Sequence, residues 1–315
     1  MEDAAFYRKF ANQAISCLFT EEDYARTTLA DIAAGKLRDG EKNFFDLSLE
    51  NDVKYFTKAV GEDYANMCYR DGLNKGWFQM CISRDLYRDW AYKTSTPMHI
   101  ESIAMWIEAL ALFMTPITPH WCENLWGTVL GKQGTVLDAM WPNYGVFDPL
   151  LRKRTQFFKD TMKNARALVV KTKVKEPRSG AVFVARSFGA SQVTVLTWMA
   201  SLWDASENTL PANFIKQLKT WLGEQPALKM ETKMLMQFAA FMGNETKERG
   251  LDALATESPF DQKQLLEEAG DYMRLTLGLE SLGCFHTDEP GLEFDQKAYK
   301  DAKPLKAGVH FYNKK

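Results

Sequence analysis

Pro119-His120-Trp121-Cys122-Glu123-Asn124-Leu125-Trp126 is the stretch from which the fold reads outward. Proline opens a helix at no hydrogen-bond cost, because the first helical N–H has no intrahelical partner. Glu123 and Trp126 then fall on successive turns, so the indole can be buried while the carboxylate stays near the positive helix start. Upstream, Ile100 to Met114 is almost wholly apolar, with Glu101 and Glu108 as its acidic members. A helix apolar on every side lies at the centre of a bundle. With Pro116 just behind it, the run is too interrupted for a membrane span. Downstream, Trp141-Pro142-Asn143-Tyr144-Gly145 reads as a boundary.

Working outward, residues 1 to about 145 read as consecutive helices. Phe6, Phe10, Ala14 and Cys17 recur at helical spacing, and Glu62 to Trp90 reads as one long glycine-interrupted helix. The breakers Arg38-Asp39-Gly40, Thr96-Pro97 and Thr115-Pro116 supply short turns, and helices joined in this way pack as an antiparallel bundle. Phe147 to Val170 predicts one more long helix, and Lys171 to Gly180 an exposed charged loop. Ala181-Val182-Phe183-Val184-Ala185 is a strand candidate rich in β-branched and aromatic residues. Three or four helices follow up to about Gly278, then short strands over Ser281 to His286 and Gly308 to Tyr312. The expected organisation is mainly α: an antiparallel helical bundle over 1–170, followed by a small α+β region over 171–315.

The 315 residues are 46% hydrophobic, 25% charged and 13% aromatic, an ordinary globular profile. The formal net charge of -2 excludes a chain-wide polyanion binder, so any nucleic-acid surface must be local. The five cysteines (Cys17, Cys68, Cys81, Cys122 and Cys284) are odd in number and widely spaced, which predicts reduced, buried thiols in a cytosol-like compartment. The acidic opening Met1-Glu2-Asp3-Ala4-Ala5 carries no apolar run, which argues against a secretory or transit sequence. A cytoplasmic protein with no membrane partner is expected.

The Pro119-His120-x-x-Glu123-x-x-Trp126 segment, closed by Trp141-Pro142, resembles the anticodon-binding helical bundle of class I aminoacyl-tRNA synthetases for leucine, isoleucine, valine and methionine. Flanking residues are similar to the leucyl family of the eukaryotic cytosolic and archaeal type: Asp3-Ala4-Ala5-Phe6, Leu37-Arg38-Asp39-Gly40, Asn43-Phe44-Phe45-Asp46, Tyr64-Ala65-Asn66-Met67, and Gly72-Leu73-Asn74-Lys75-Gly76-Trp77-Phe78. Ala181-Val182-Phe183-Val184-Ala185-Arg186 and Phe260-Asp261-Gln262-Lys263 extend the resemblance, which is weak beyond 190. It implies the C-terminal part of such an enzyme, with tRNA as partner. It further implies ATP and Mg2+ for the parent's catalytic domain, with no cofactor in this chain. Two departures stand out. The His-Ile-Gly-His and Lys-Met-Ser-Lys-Ser type motifs are missing, and Met98-His99-Ile100-Glu101 does not replace them. The chain also stops at Lys315, where archaeal-type relatives continue into a module for the long variable arm of leucine tRNA.

Between Arg152 and Arg178 the chain holds ten Lys/Arg against two Asp/Glu. Arg152, Lys159, Lys163 and Arg166 are spaced 7, 4 and 3 apart, which places them on one helix face. Leu151, Phe158, Met162 and Val169 form a separate apolar stripe. Lys153 lies in the same run, and Lys171, Lys173, Lys175 and Arg178 carry it into the loop. Phosphates need such cations for affinity with little demand on sequence; a merely solvated polar face is the competing reading.

His120 has no nucleophile or acid around it and reads as a helix-start residue packed on the bundle. Cys284 and His286 supply too few ligands for a metal. Trp198, Trp203, Trp221, Met234 and Met236 read as core at helical spacing rather than as a base-stacking platform. The function implied by the resemblance is docking of tRNA, leucine tRNA in particular, by a fragment or split subunit, in support of leucylation by a catalytic body on another polypeptide or in an omitted part. The rival is a catalytically inactive paralogue, acting as an RNA-binding or scaffold protein in a ribosomal or synthetase assembly.

Overall fold

Helix α5 (Ile100–Met114) is the axis of the first part of the molecule: Ile103, Trp106, Ile107 and Leu110 are fully enclosed, and so is Phe113. The computed structural model describes residues 7–171, 178–289, 298 and 302–313. It divides into two units, Met1–Thr155 and Gln156–Lys315. The expected boundary at 170 and the observed division at Thr155 differ, because the long helix anticipated between them runs across the division.

In the first unit α1 (Arg8–Ala33), α2 (Phe44–Ala65), α3 (Tyr69–Leu73), α4 (Met80–Thr94) and α6 (Pro119–Glu123) accompany α5, and α7 (Pro149–Lys171) begins at its end. Helix α2 starts at a reciprocal cap. The Asn43 side chain accepts from the amides of Phe45 (2.9 Å) and Asp46 (3.2 Å), while Asp46 accepts from the Asn43 amide at 2.8 Å. Asp46, fully buried, also receives Arg38 and the Tyr87 hydroxyl at 2.5 Å. That hydroxyl in turn accepts from the His99 amide at 2.6 Å. One carboxylate thus fixes both turns that enclose α2 and α5. The single long helix expected over Glu62–Trp90 is instead broken at Met67, whose φ is 59°. It resumes as α3, a π-helical turn over Asn74–Gln79, and α4.

In the second unit, β1 (Ser179–Val184), β2 (Ser281–His286) and β3 (Gly308–Tyr312) form a sheet in the order β2-β1-β3. Strand β1 is parallel to β2, with Val182 opposite Cys284, and antiparallel to β3, with Val182 opposite Val309. Parallel pairing demands a long crossover. Here α8 (Ala190–Ser201), α9 (Phe214–Gly223), α10 (Thr232–Arg249), α11 (Gln262–Glu268) and α12 (Gly270–Leu277) supply it, more helices than expected. Strand β3 opens on glycine for lack of space: a Cβ on Gly308 would collide with the Ala298 carbonyl oxygen. Helices α8, α9 and α10 enclose their own core of Val195, Leu196, Met199, Leu218, Leu222 and Leu235. Trp198 and Trp221 stack at 5.2 Å, packed with Trp203 and Met236 against that core, as the helical spacing indicated, whereas Met234 is 47% exposed. Among the described residues, no helix is long and apolar enough to cross a membrane.

Candidate nucleic-acid interface

The candidate interface stands on α7, and α2 holds the root of that helix. The Asn51 side chain, 4% exposed, brackets the backbone of one residue, Asp148. Its Nδ2 donates to the Asp148 carbonyl at 2.9 Å, and its Oδ1 accepts from the Asp148 amide at 2.6 Å. Asp148 caps α7 by accepting from the Leu150 amide at 2.7 Å. Two turns on, the hydroxyl of Thr155 donates to the Ser48 hydroxyl at 2.9 Å. Sequence reading did not find this clamp. Its partners lie 97 residues apart, and a lone Asn inside a helix carries no local signal.

Arg152 is committed to the same root. Its guanidinium lies 3.4 Å from the Tyr55 ring centroid and 3.3 Å from Asp52 Oδ1, and Asp52 accepts from the Ser83 hydroxyl at 2.6 Å. It is therefore a structural cation here. Lys153 is half-buried and engaged with a neighbour.

In the second unit α7 buries Phe157, Phe158, Thr161, Met162 and Ala165. Phe157 meets Phe260 edge-on at 5.8 Å, Phe158 lies 6.1 Å from Tyr272, and Ala165 packs with Leu279 and Phe311. Of the apolar stripe expected from the spacing, Phe158 and Met162 are buried, Val169 packs with Ala165, and Leu151 is half-buried. Away from it, Lys163, Arg166 and Lys171 are exposed, while Lys159 is half-buried with a partner. Lys171 stands in the last helical turn, where a cation also complements the helix dipole. Arg178 is exposed, 3.3 Å from Glu280. Lys173 and Lys175 lie outside the described residues, as does most of the expected loop.

The motif that opened the reading has a mechanical task. Glu123 accepts from the Thr135 hydroxyl at 2.7 Å and the Val136 amide at 2.9 Å, so its carboxylate clasps the following loop. Trp121 donates to the Leu18 carbonyl at 3.2 Å and meets Trp77 edge-on. Trp141 stacks on Phe113 at 5.4 Å and donates to the Thr57 carbonyl at 3.1 Å. It packs on the first unit while staying 41% exposed. His120 is exposed at the helix start, not packed on the bundle. Of the cysteines, Cys122 is buried, Cys81 and Cys284 are half-buried, and Cys17 and Cys68 are exposed, which corrects the expectation of uniformly buried thiols. Burial pushes the Cys122 thiol up to about 11 and the Cys284 thiol to about 12. Among the described residues no group of three or more His, Cys, Asp or Glu is placed to hold a metal ion.

A family profile for the anticodon-binding domain of tRNA ligases matches residues 48–183, from the first turns of α2 through β1. Residues 48–183 are thus similar to that domain, and the matched stretch includes the Asn51 clamp, the Glu123 clasp and the whole of α7. Similarity extends well beyond it. The cytoplasmic leucine–tRNA ligase of Pongo abelii is 27% identical over 90% of this chain and 24% of its own length. That of Arabidopsis thaliana is 26% identical over 92% of this chain and 28% of its own. The Saccharomyces cerevisiae enzyme is 36% identical over 45% of this chain and 12% of its own. The chain thus spans about a quarter of the length of the first two of these relatives.

Proposed function

We propose that this chain docks tRNA, leucine tRNA in particular, for a leucine–tRNA ligase whose catalytic body is not among these residues. The observation that supports the reading most is the exposed set Lys163, Arg166 and Lys171, with Lys159 beside it, on an anticodon-binding domain helix whose other side is packed. Such cations neutralise phosphates and release counterions, so binding should weaken steeply with salt. Changing Lys159, Lys163 and Arg166 together to Ala is expected to weaken tRNA binding and to flatten the log–log salt dependence by about one unit per cation removed. Folding should persist, because exposed ion pairs contribute little. Filter binding or fluorescence titration across a salt series reads both quantities. Unchanged affinity with an unchanged slope would overturn the assignment and leave the face as solvated surface.

ATP and Mg2+ chemistry is assigned to the catalytic body. The stretch weighed as a stand-in for its motifs does not fit it. His99, in the stretch Met98-His99-Ile100-Glu101, is 2% exposed; its Nδ1 accepts from the Glu101 amide at 3.2 Å and its Nε2 faces the Gly40 carbonyl at 3.2 Å. It is a helix cap with both nitrogens committed, closed to a nucleotide. The purified chain is accordingly expected to show no leucine-dependent exchange of pyrophosphate into ATP above a heat-killed control, and measurable exchange would contradict the reading.

A further inference from the structure

The first turns of α1 present an apolar stripe that no described residue of the first unit covers. Tyr7 is 60% and Phe10 63% exposed, and Ala14 and Cys17 are exposed with them. Their spacing of 3, 4 and 3 residues is that of a helix–helix seam. The stripe is continuous with an established packing face. The next positions of the same series are Glu21, Tyr24 and Thr28, which are wholly or partly buried. There α1 packs on α4: Glu21 pairs with Arg84, and Arg84 lies 4.3 Å from the Tyr24 ring centroid. The docking face of α1 therefore runs on past the end of its own bundle.

The order of residue sizes along the stripe indicates what covers it. The two large side chains stand at one end and the two small ones at the other. If a second α1 is laid antiparallel about a two-fold axis at residue 12, Tyr7 comes opposite Cys17 of the other copy and Phe10 opposite Ala14. Each layer then holds one large and one small side chain, the arrangement that lets facing helices interdigitate. The match is isologous, as a two-fold interface requires. A parallel pairing would set Tyr7 on Tyr7 and leave the alanine layer empty. Tyr7 and Phe10 already meet edge to face at 5.8 Å, so the aromatic end is preformed. Ile15 and Phe19, 52% and 63% exposed, flank the seam. Aromatic side chains bury about 150–250 Å² each. At these exposures, three aromatics and an isoleucine per copy offer a total on the order of 1,000 Å², the lower limit for a specific interface.

We propose that this chain self-associates through an antiparallel pair of α1 helices, as a weak two-fold dimer centred on residue 12. Sedimentation equilibrium of the full chain from about 1 to 100 μM tests it, with a micromolar dissociation constant expected for an interface of this size. Phe10→Glu, at an exposed position, should leave the circular dichroism spectrum unchanged and the protein monomeric throughout. Orientation is read by disulfide trapping in a Cys68→Ser background. In the antiparallel pair the two Cys17 residues are separated by ten residues of helix, about 15 Å along the axis, too far for a disulfide. Oxidation should leave that protein uncrosslinked. Adding Tyr7→Cys should give a dimer joined by a disulfide from the introduced thiol to Cys17 of the other copy. A parent that stays monomeric to 100 μM, a Phe10→Glu variant that still dimerises, or efficient Cys17–Cys17 crosslinking without the added cysteine would each overturn the proposal.

Discussion

Arg84→Met is expected to destabilise the first unit by about 3–5 kcal/mol, the cost of leaving one charge of a buried pair without its partner. Arg84 is 4% exposed and Glu21 8%. The guanidinium donates to both Glu21 oxygens, at 2.5 and 2.8 Å, and from Nε to Asp85 at 2.9 Å. It also lies 4.3 Å from the Tyr24 ring centroid and 4.8 Å from that of Trp106, two rings that meet edge to face. Methionine fills much of that volume but leaves the Glu21 carboxylate without its cation, among Tyr24 and the Cys81 thiol, whose Sγ is 3.8 Å away. Burial, with Glu21 adding to it, already holds that thiol up at about 12. The paired change Glu21→Leu with Arg84→Met removes both charges, and it should recover most of the loss, because apolar replacement of a whole buried pair is often neutral. Urea unfolding of the parent, the two single variants and the double variant gives the coupling. A double variant as unstable as the sum of the singles would show that packing rather than charge pairing carries the contact.

The fold was legible where the signal was local. The apolar run Ile100–Met114 emerged as α5 with those bounds, and both Ser281–His286 and Gly308–Tyr312 emerged as strands. The break in the Glu62–Trp90 segment was not legible, because the residues that suggest a break are not where it occurs. Gly72 and Gly76 stay inside the helical path. A Cβ on Gly72 would collide with the Tyr64 ring, and one on Gly76 would lie 3.3 Å from Phe113 Cβ, so these glycines answer close packing. The chain turns instead at Met67, an L-residue held at φ 59°, which no propensity rule selects. The candidate interface divides in the same way. Lys163 and Arg166 are exposed as their spacing indicated. Arg152, on the same predicted face, is claimed by Asp52 and Tyr55 from about a hundred residues away, a non-local competition that periodicity cannot weigh.

That competition makes the α7 root the other sensitive point. Asn51→Asp is expected to cost about 2–4 kcal/mol although it changes little in shape. In the parent, the amide side chain donates to the carbonyl and accepts from the amide of the same residue, Asp148, at 2.9 and 2.6 Å. A carboxylate keeps the acceptor facing the Asp148 amide, but it turns a second oxygen toward the Asp148 carbonyl. One hydrogen bond is lost, about 1 kcal/mol, and a buried carbonyl is left facing negative charge, which adds the desolvation penalty of an unpaired group. Asp52 is the next residue and is itself 5% exposed, so the new charge is also set beside an existing one. Asn51→Leu removes both bonds without adding charge and should fall between the parent and the aspartate variant. The loss is local, since Asp148 begins α7 and Arg152 sits one turn further along. Releasing the root should therefore open Arg152, Lys153 and Arg154 to trypsin before the first unit unfolds, as expected of a sub-global opening. Peptide mapping of brief digests reads that cleavage, and urea denaturation reads the free energy. An aspartate variant as stable as the parent, uncut at 152–154, would show that the Asn51 bracket does not hold the helix in place.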